Sequence, residues 1–127
     1  MKNKTILKLA ALLGILAVAI GAFGAHGLEF ILAQYGREAT FETAVKYHFY
    51  HTLAIFLVGV LKSTGQENKL LVYSVYCFLT GILVFSGSLY VLSLTNASWL
   101  GAVTPIGGLA FIFGWIFLFF GSGKSLN

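Results

Sequence analysis

Three histidines carry most of the reactive chemistry available to this chain. His48 and His51 stand three apart in the pentapeptide YHFYH, and His26 closes the stretch GAFGAH. Neutral imidazoles beside hydroxyl groups can bind a metal such as zinc. They can pass protons, because histidine titrates near neutral pH. They can also simply hydrogen-bond to helix backbones and to Ser86, Ser88 and Thr104, the hydroxyls that fall at a similar height. Residues three apart project from one side of a helix, and Ala44, Thr52 and Ile55 share that side with the two histidines. No cysteine or acidic residue joins them there, so the metal signal is weak. No nucleophile elbow, phosphate loop, dinucleotide fingerprint or HExxH motif occurs, and no catalytic residue is assigned.

Such groups need elements to hold them, and the composition says which kind. Of 127 residues, 58% are apolar and 9% charged, where a soluble domain carries roughly a quarter charged. A chain this small cannot bury so much apolar surface in water. The expected class is an all-α integral membrane protein. The net charge of +4 does not point to nucleic acid, because the lysines lie at segment ends rather than along a basic stripe. Cys77 is the only cysteine and sits in an apolar run, which excludes an intrachain disulfide framework.

Four apolar segments read as spans over about residues 6–25, 47–61, 70–94 and 100–120, within a single domain covering 1–127. The second reaches spanning length only if YHFYH is counted, its tyrosines then serving as anchors at the outer interface. Pro105 predicts a bend or early break at Thr104–Pro105. Leu28, Ile31, Leu32 and Tyr35 recur at helical spacing, which predicts a short amphipathic interfacial helix between helices 1 and 2. The apolar run after the first lysines is longer than the 7–15 residues usual in a cleavable signal peptide, so it is read as a retained span.

Basic residues set orientation. Lys2, Lys4, Lys8, Lys62, Lys69 and Lys124 lie on one side, Arg37 and Lys46 on the other. Both termini are therefore expected in the cytoplasm, with the chain in the cell (inner or plasma) membrane. At about 1.5 Å per helical residue, His51 lies about 16 Å and His48 about 21 Å from the Lys62 end. The same rise puts His26, Ser86, Ser88 and Thr104 in the outer half of a hydrocarbon layer about 30 Å thick. Gly14, Gly21 and Gly24 on helix 1, Gly81 on helix 3, and Gly107 and Gly114 on helix 4 mark faces for close helix packing, either inside one four-helix bundle or between copies.

The stretches GAFGAHGL (21–28), TAVKYHFYHTLA (43–54), FSGSLYVLSLT (85–95) and LGAVTPIGGLAFIFGW (100–115) together resemble the small multi-pass proteins of the domain of unknown function 423 family. The resemblance covers nearly the whole chain. It implies a four-helix inner-membrane protein and brings no reaction, cofactor or catalytic residue. It also implies that the first segment is retained. Residues His26, His48, His51, Ser86 to Ser88, Thr104, Pro105, Gly107 and Gly108 fall in its motif positions.

These readings converge on a non-enzymatic membrane protein with a structural or interaction role. The partners expected are the lipid bilayer and either a second copy or other membrane proteins, with no nucleic acid, metal or cofactor. The alternative is a protein handling protons, ions or small solutes through the histidine and hydroxyl groups.

Overall fold

A computed structural model of the chain describes residues 1–123; Lys124, counted above for orientation, lies outside them. The described residues are helical with no strand. Helix α1 spans Asn3–His26, α2 Glu29–Tyr35 and α3 Glu38–Ser63. Helix α4 (Lys69–Gly81) continues through a π-helical stretch, Ile82–Ser86, into α5 (Gly87–Thr95). A 3-10 turn, Ser98–Ala102, precedes α6 (Thr104–Ser122). Four spans long and apolar enough to cross a bilayer result: Asn3–His26, Glu38–Ser63, Lys69–Thr95 and Ser98–Ser122.

The second span begins at Glu38, not at Tyr47. Glu38, Glu42 and Lys46 made this stretch read as an outer loop, but Glu42 and Lys46 pair at 3.0 Å one turn apart on an exposed helix face. The interfacial helix is accordingly confined to Glu29–Tyr35. Gly36 ends it in the left-handed conformation (φ 64°), with its N–H on Ala33 O and the Arg37 N–H on Leu32 O. This tight turn lets α3 start at once. The tyrosines of YHFYH consequently stand about 14 Å or more along α3, too deep to anchor at the helix start. Tyr47 instead packs its ring on Phe85 (4.7 Å) and Phe111 (6.1 Å).

The chain forms two antiparallel hairpins, each seamed in steps of seven residues. In the first, Leu7 meets Gly59, Gly14 meets Thr52 and Gly21 meets Val45, while the Phe41 ring covers Gly24. In the second, Leu71 meets Gly121, Phe78 meets Gly114 and Phe85 meets Gly107, with Phe111 returning the fit on Gly81. The seams are therefore large residues seated on glycines rather than small faces meeting each other. A seven-residue repeat is the pattern of left-handed helix pairing. Asn68 pins the end of the second hairpin: its Oδ1 caps the Leu70 N–H (3.0 Å) and its Nδ2 donates to Gly121 O (3.2 Å). Pro105 sits in the first turn of α6, where its missing N–H costs nothing, and the helix breaks just before it.

Ile55, Val58, Leu71, Val75 and Phe78 form the main apolar core where the hairpins meet. The two inner spans are 44% buried and the two outer ones, α1 and α6, only 17%. Most of the surface of α1 and α6 is thus left for lipid or for another chain.

Candidate functional site

The three histidines do not meet. His26, the last residue of α1, is exposed, and no hydrogen bond or aromatic contact joins it to His48 or His51. They share a height along the helix axes but not a direction. His48 and His51 are buried on α3, yet turn to different neighbours.

His51 is held from every side. Its Nδ1 donates to the Tyr47 carbonyl one turn earlier (2.7 Å), since a carbonyl can only accept. Its Nε2 must then accept, and the Trp115 indole N–H supplies the proton at 3.1 Å. One neutral tautomer satisfies both bonds. The ring also stacks on Phe111, with centroids 3.6 Å apart and planes 12° from parallel, and abuts Phe78 and Trp115. Sequence reasoning missed Trp115. No motif pairs it with His51, and only the register of α6 brings it there.

His48 faces the other way. Its Nδ1 lies 2.8 Å from the Tyr90 hydroxyl of α5. Its Nε2 is buried and, among the described residues, has no hydrogen-bond partner. The His48 carbonyl accepts from Thr52 Oγ1 at 2.8 Å.

The hydroxyls tie helices together. Ser86, the last residue of the π-helical stretch and wholly buried, donates from Oγ to Ala44 O on α3 at 2.8 Å. Ser88 Oγ and Thr104 Oγ1 are 2.7 Å apart and share one proton chain, which ends on either the Phe85 or the Leu100 carbonyl. In the π-helical stretch the Gly87 N–H reaches Ile82 O, five residues back. Such wide turns often occur at functional sites. Here the wide turn puts the Phe85 backbone on Gly107 and Ser86 on α3.

At the end of the bundle away from the N-terminus, Arg37 Nε donates to Asn96 Oδ1 (3.1 Å), joining the α2–α3 turn to the end of α5. No three His, Cys, Asp or Glu side chains among the described residues converge as metal ligands. The buried polar groups can hold helices in place, and among the described residues His48 keeps a buried ring nitrogen without a partner.

Four apolar spans and a polar layer bonded across them define a small multi-pass helical membrane protein. A family profile described as "Protein of unknown function (DUF423)" matches residues 20–108, and the chain belongs to that family. A relative from Bacillus subtilis, the UPF0382 membrane protein YwdK, is 42% identical over 97% of this chain and 99% of its own. A UPF0382 membrane protein from Haemophilus influenzae is 44% identical over 98% of both chains. One from Staphylococcus haemolyticus is 42% identical over 95% of this chain and 97% of its own. No solved structure matches the chain.

Proposed function

We propose that this protein catalyses no reaction and acts as a structural and interaction element of the cell membrane, with both termini in the cytoplasm. The observation that carries this reading is His51. Its Nδ1–H is spent on Tyr47 O and its one ring lone pair, on Nε2, accepts the Trp115 N–H, so no lone pair is left over for a metal or a passing proton. The buried hydroxyls are likewise spent on backbone carbonyls or on each other. The sparsely buried outer spans supply the surface for a second copy or another membrane protein.

His48→Ala should lower thermal stability in detergent and leave proton and ion flux through reconstituted liposomes unchanged. The second reading, proton or solute handling, draws on the partnerless Nε2 of His48. It predicts the reverse: an intact fold and a lost pH- or ion-dependent flux. The orientation rests on six basic residues against two. A cysteine label at Gln66→Cys should be reached from the cytoplasmic side and one at Ala97→Cys from outside; the opposite pattern refutes it.

A further inference from the structure

The start of α1 and the end of α3 are neighbours in the first hairpin, where Leu7 and Ile6 close over Gly59. Beyond this closure the start of α1 and the end of α3 leave a recess of about 650 Å³ lined by Met1, Lys2, Asn3, Lys4, Lys62 and Glu67. Three lysines there face one carboxylate. Lys62 lies deepest, its side chain only 5% exposed. Its Nζ bonds Glu67 Oε2 at 3.1 Å, and that Glu67 side chain is 80% exposed. A lysine placed on the last turn of a membrane span could extend its ammonium into bulk water at no cost. Lys62 is instead packed beneath the recess, where among the described residues its ammonium, with three donors, has one acceptor, the water-exposed Glu67 carboxylate.

The recess sits one turn beyond the apolar belt that begins at Ile6 on α1 and ends at Leu61 on α3. That is the level of lipid headgroups. The exposed apolar flank of α1, with Leu12, Ile15 and Leu16, runs on from it toward the bilayer centre. Surplus positive charge, a partly buried donor and an adjoining apolar flank together match one ligand chemistry. We propose that this recess binds the phosphodiester headgroup of an anionic phospholipid, with Lys62 donating at its floor and Lys2 and Lys4 closing over the phosphate. Basic recesses between spans take such headgroups, and each lysine near the surface is worth about 1 kcal/mol, or about fivefold in affinity. The assignment holds whichever leaflet the recess faces.

The full chain in neutral detergent, titrated with phosphatidylglycerol or phosphatidylcholine and followed by native mass spectrometry, tests it. Phosphatidylglycerol should be retained at least about tenfold better, as expected for more than one lysine contact. Lys62→Met keeps the apolar stem and should weaken retention about fivefold. Lys2→Gln with Lys4→Gln, both exposed and remote from the core, should weaken it further even if Lys62→Met fails to fold. Lys46→Gln, at the far end of α3, should change nothing. Equal retention of the two lipids, or indifference to the Lys2 and Lys4 changes, overturns the proposal. So does full displacement of the lipid by millimolar inorganic phosphate, which would make the recess a site for the free ion.

Discussion

One substitution made at three glycines separates the seams from the rest of the helix surface. A methyl group on Gly14 would come no closer than 3.8 Å to Thr52 Cγ2, an ordinary contact. Gly14→Ala should therefore stabilise the protein by up to about 1 kcal/mol, the helix-propensity gain alone. On Gly114 the same methyl would stand 2.6 Å from two ring carbons of Phe78, which is wholly buried and has nowhere to swing. Overpacking of that kind costs about 1–3 kcal/mol, and the propensity gain offsets about 1 of it. Gly114→Ala should be destabilising by about 1–2 kcal/mol on those terms. On Gly107 the obstacle is the Phe85 backbone nitrogen and its Cα, the latter 2.7 Å away. Backbone cannot rotate aside, so Gly107→Ala should cost about 3 kcal/mol or more. Equilibrium unfolding in mixed micelles, followed by circular dichroism against added sodium dodecyl sulfate, reads the three values. Equal shifts for all three, or a larger loss at Gly14 than at Gly107, would refute the heptad seams.

The polar layer yields further tests. Trp115→Phe removes the Trp115 N–H that donates to a buried His51 Nε2 and should cost about 1–3 kcal/mol; adding His51→Phe should recover part of that loss in the same unfolding assay, and no coupling would detach the two residues. Ser88→Ala and Thr104→Ala should couple by about 0.6 kcal/mol in a double-mutant cycle, the usual scale for hydroxyl bonds between spans. Asn68→Ala loses both a helix cap and its bond to Gly121 O and should cost about 1 kcal/mol, seen as faster amide exchange in the first turn of α4.

How much of this was legible beforehand follows from what a linear pattern can carry. Gly107, Gly114 and Gly121 recur every seven residues, as do Leu71, Phe78 and Phe85, so the existence of seams could be read directly. Which stripe lies on which could not, because an antiparallel register depends on the length of the turn at 96–103. The early start of α3 was hidden by its charges. Hydropathy averages over a helix and misses that Glu42 and Lys46 satisfy each other on one exposed face. The π-helical stretch has no residue signature of its own; Gly81 and Gly87 flank it, but glycines flank ordinary turns as often. His26 was misplaced because height along an axis says nothing of the direction in which a side chain leaves it.

The two kinds of contact divide the task of specifying the fold. Between spans in lipid there is no hydrophobic drive, so packing and directional bonds must supply both affinity and register. Within each hairpin, register is set by bulk: slipping the second by one turn would carry Phe78 off Gly114 and onto Ala110 or Leu118. Between the hairpins the facing residues are Ile55, Val58, Leu71 and Val75, interchangeable aliphatic side chains that tolerate many registers. The directional bonds are concentrated at that indifferent interface. Ser86 to Ala44 O, His48 to Tyr90 and His51 to Trp115 all join α3 to the second hairpin. A shifted register would leave each of these groups unpaired away from water, at several kcal/mol apiece. Ionisable and hydroxyl groups therefore stand deep in this membrane protein where apolar packing alone could not choose an alignment.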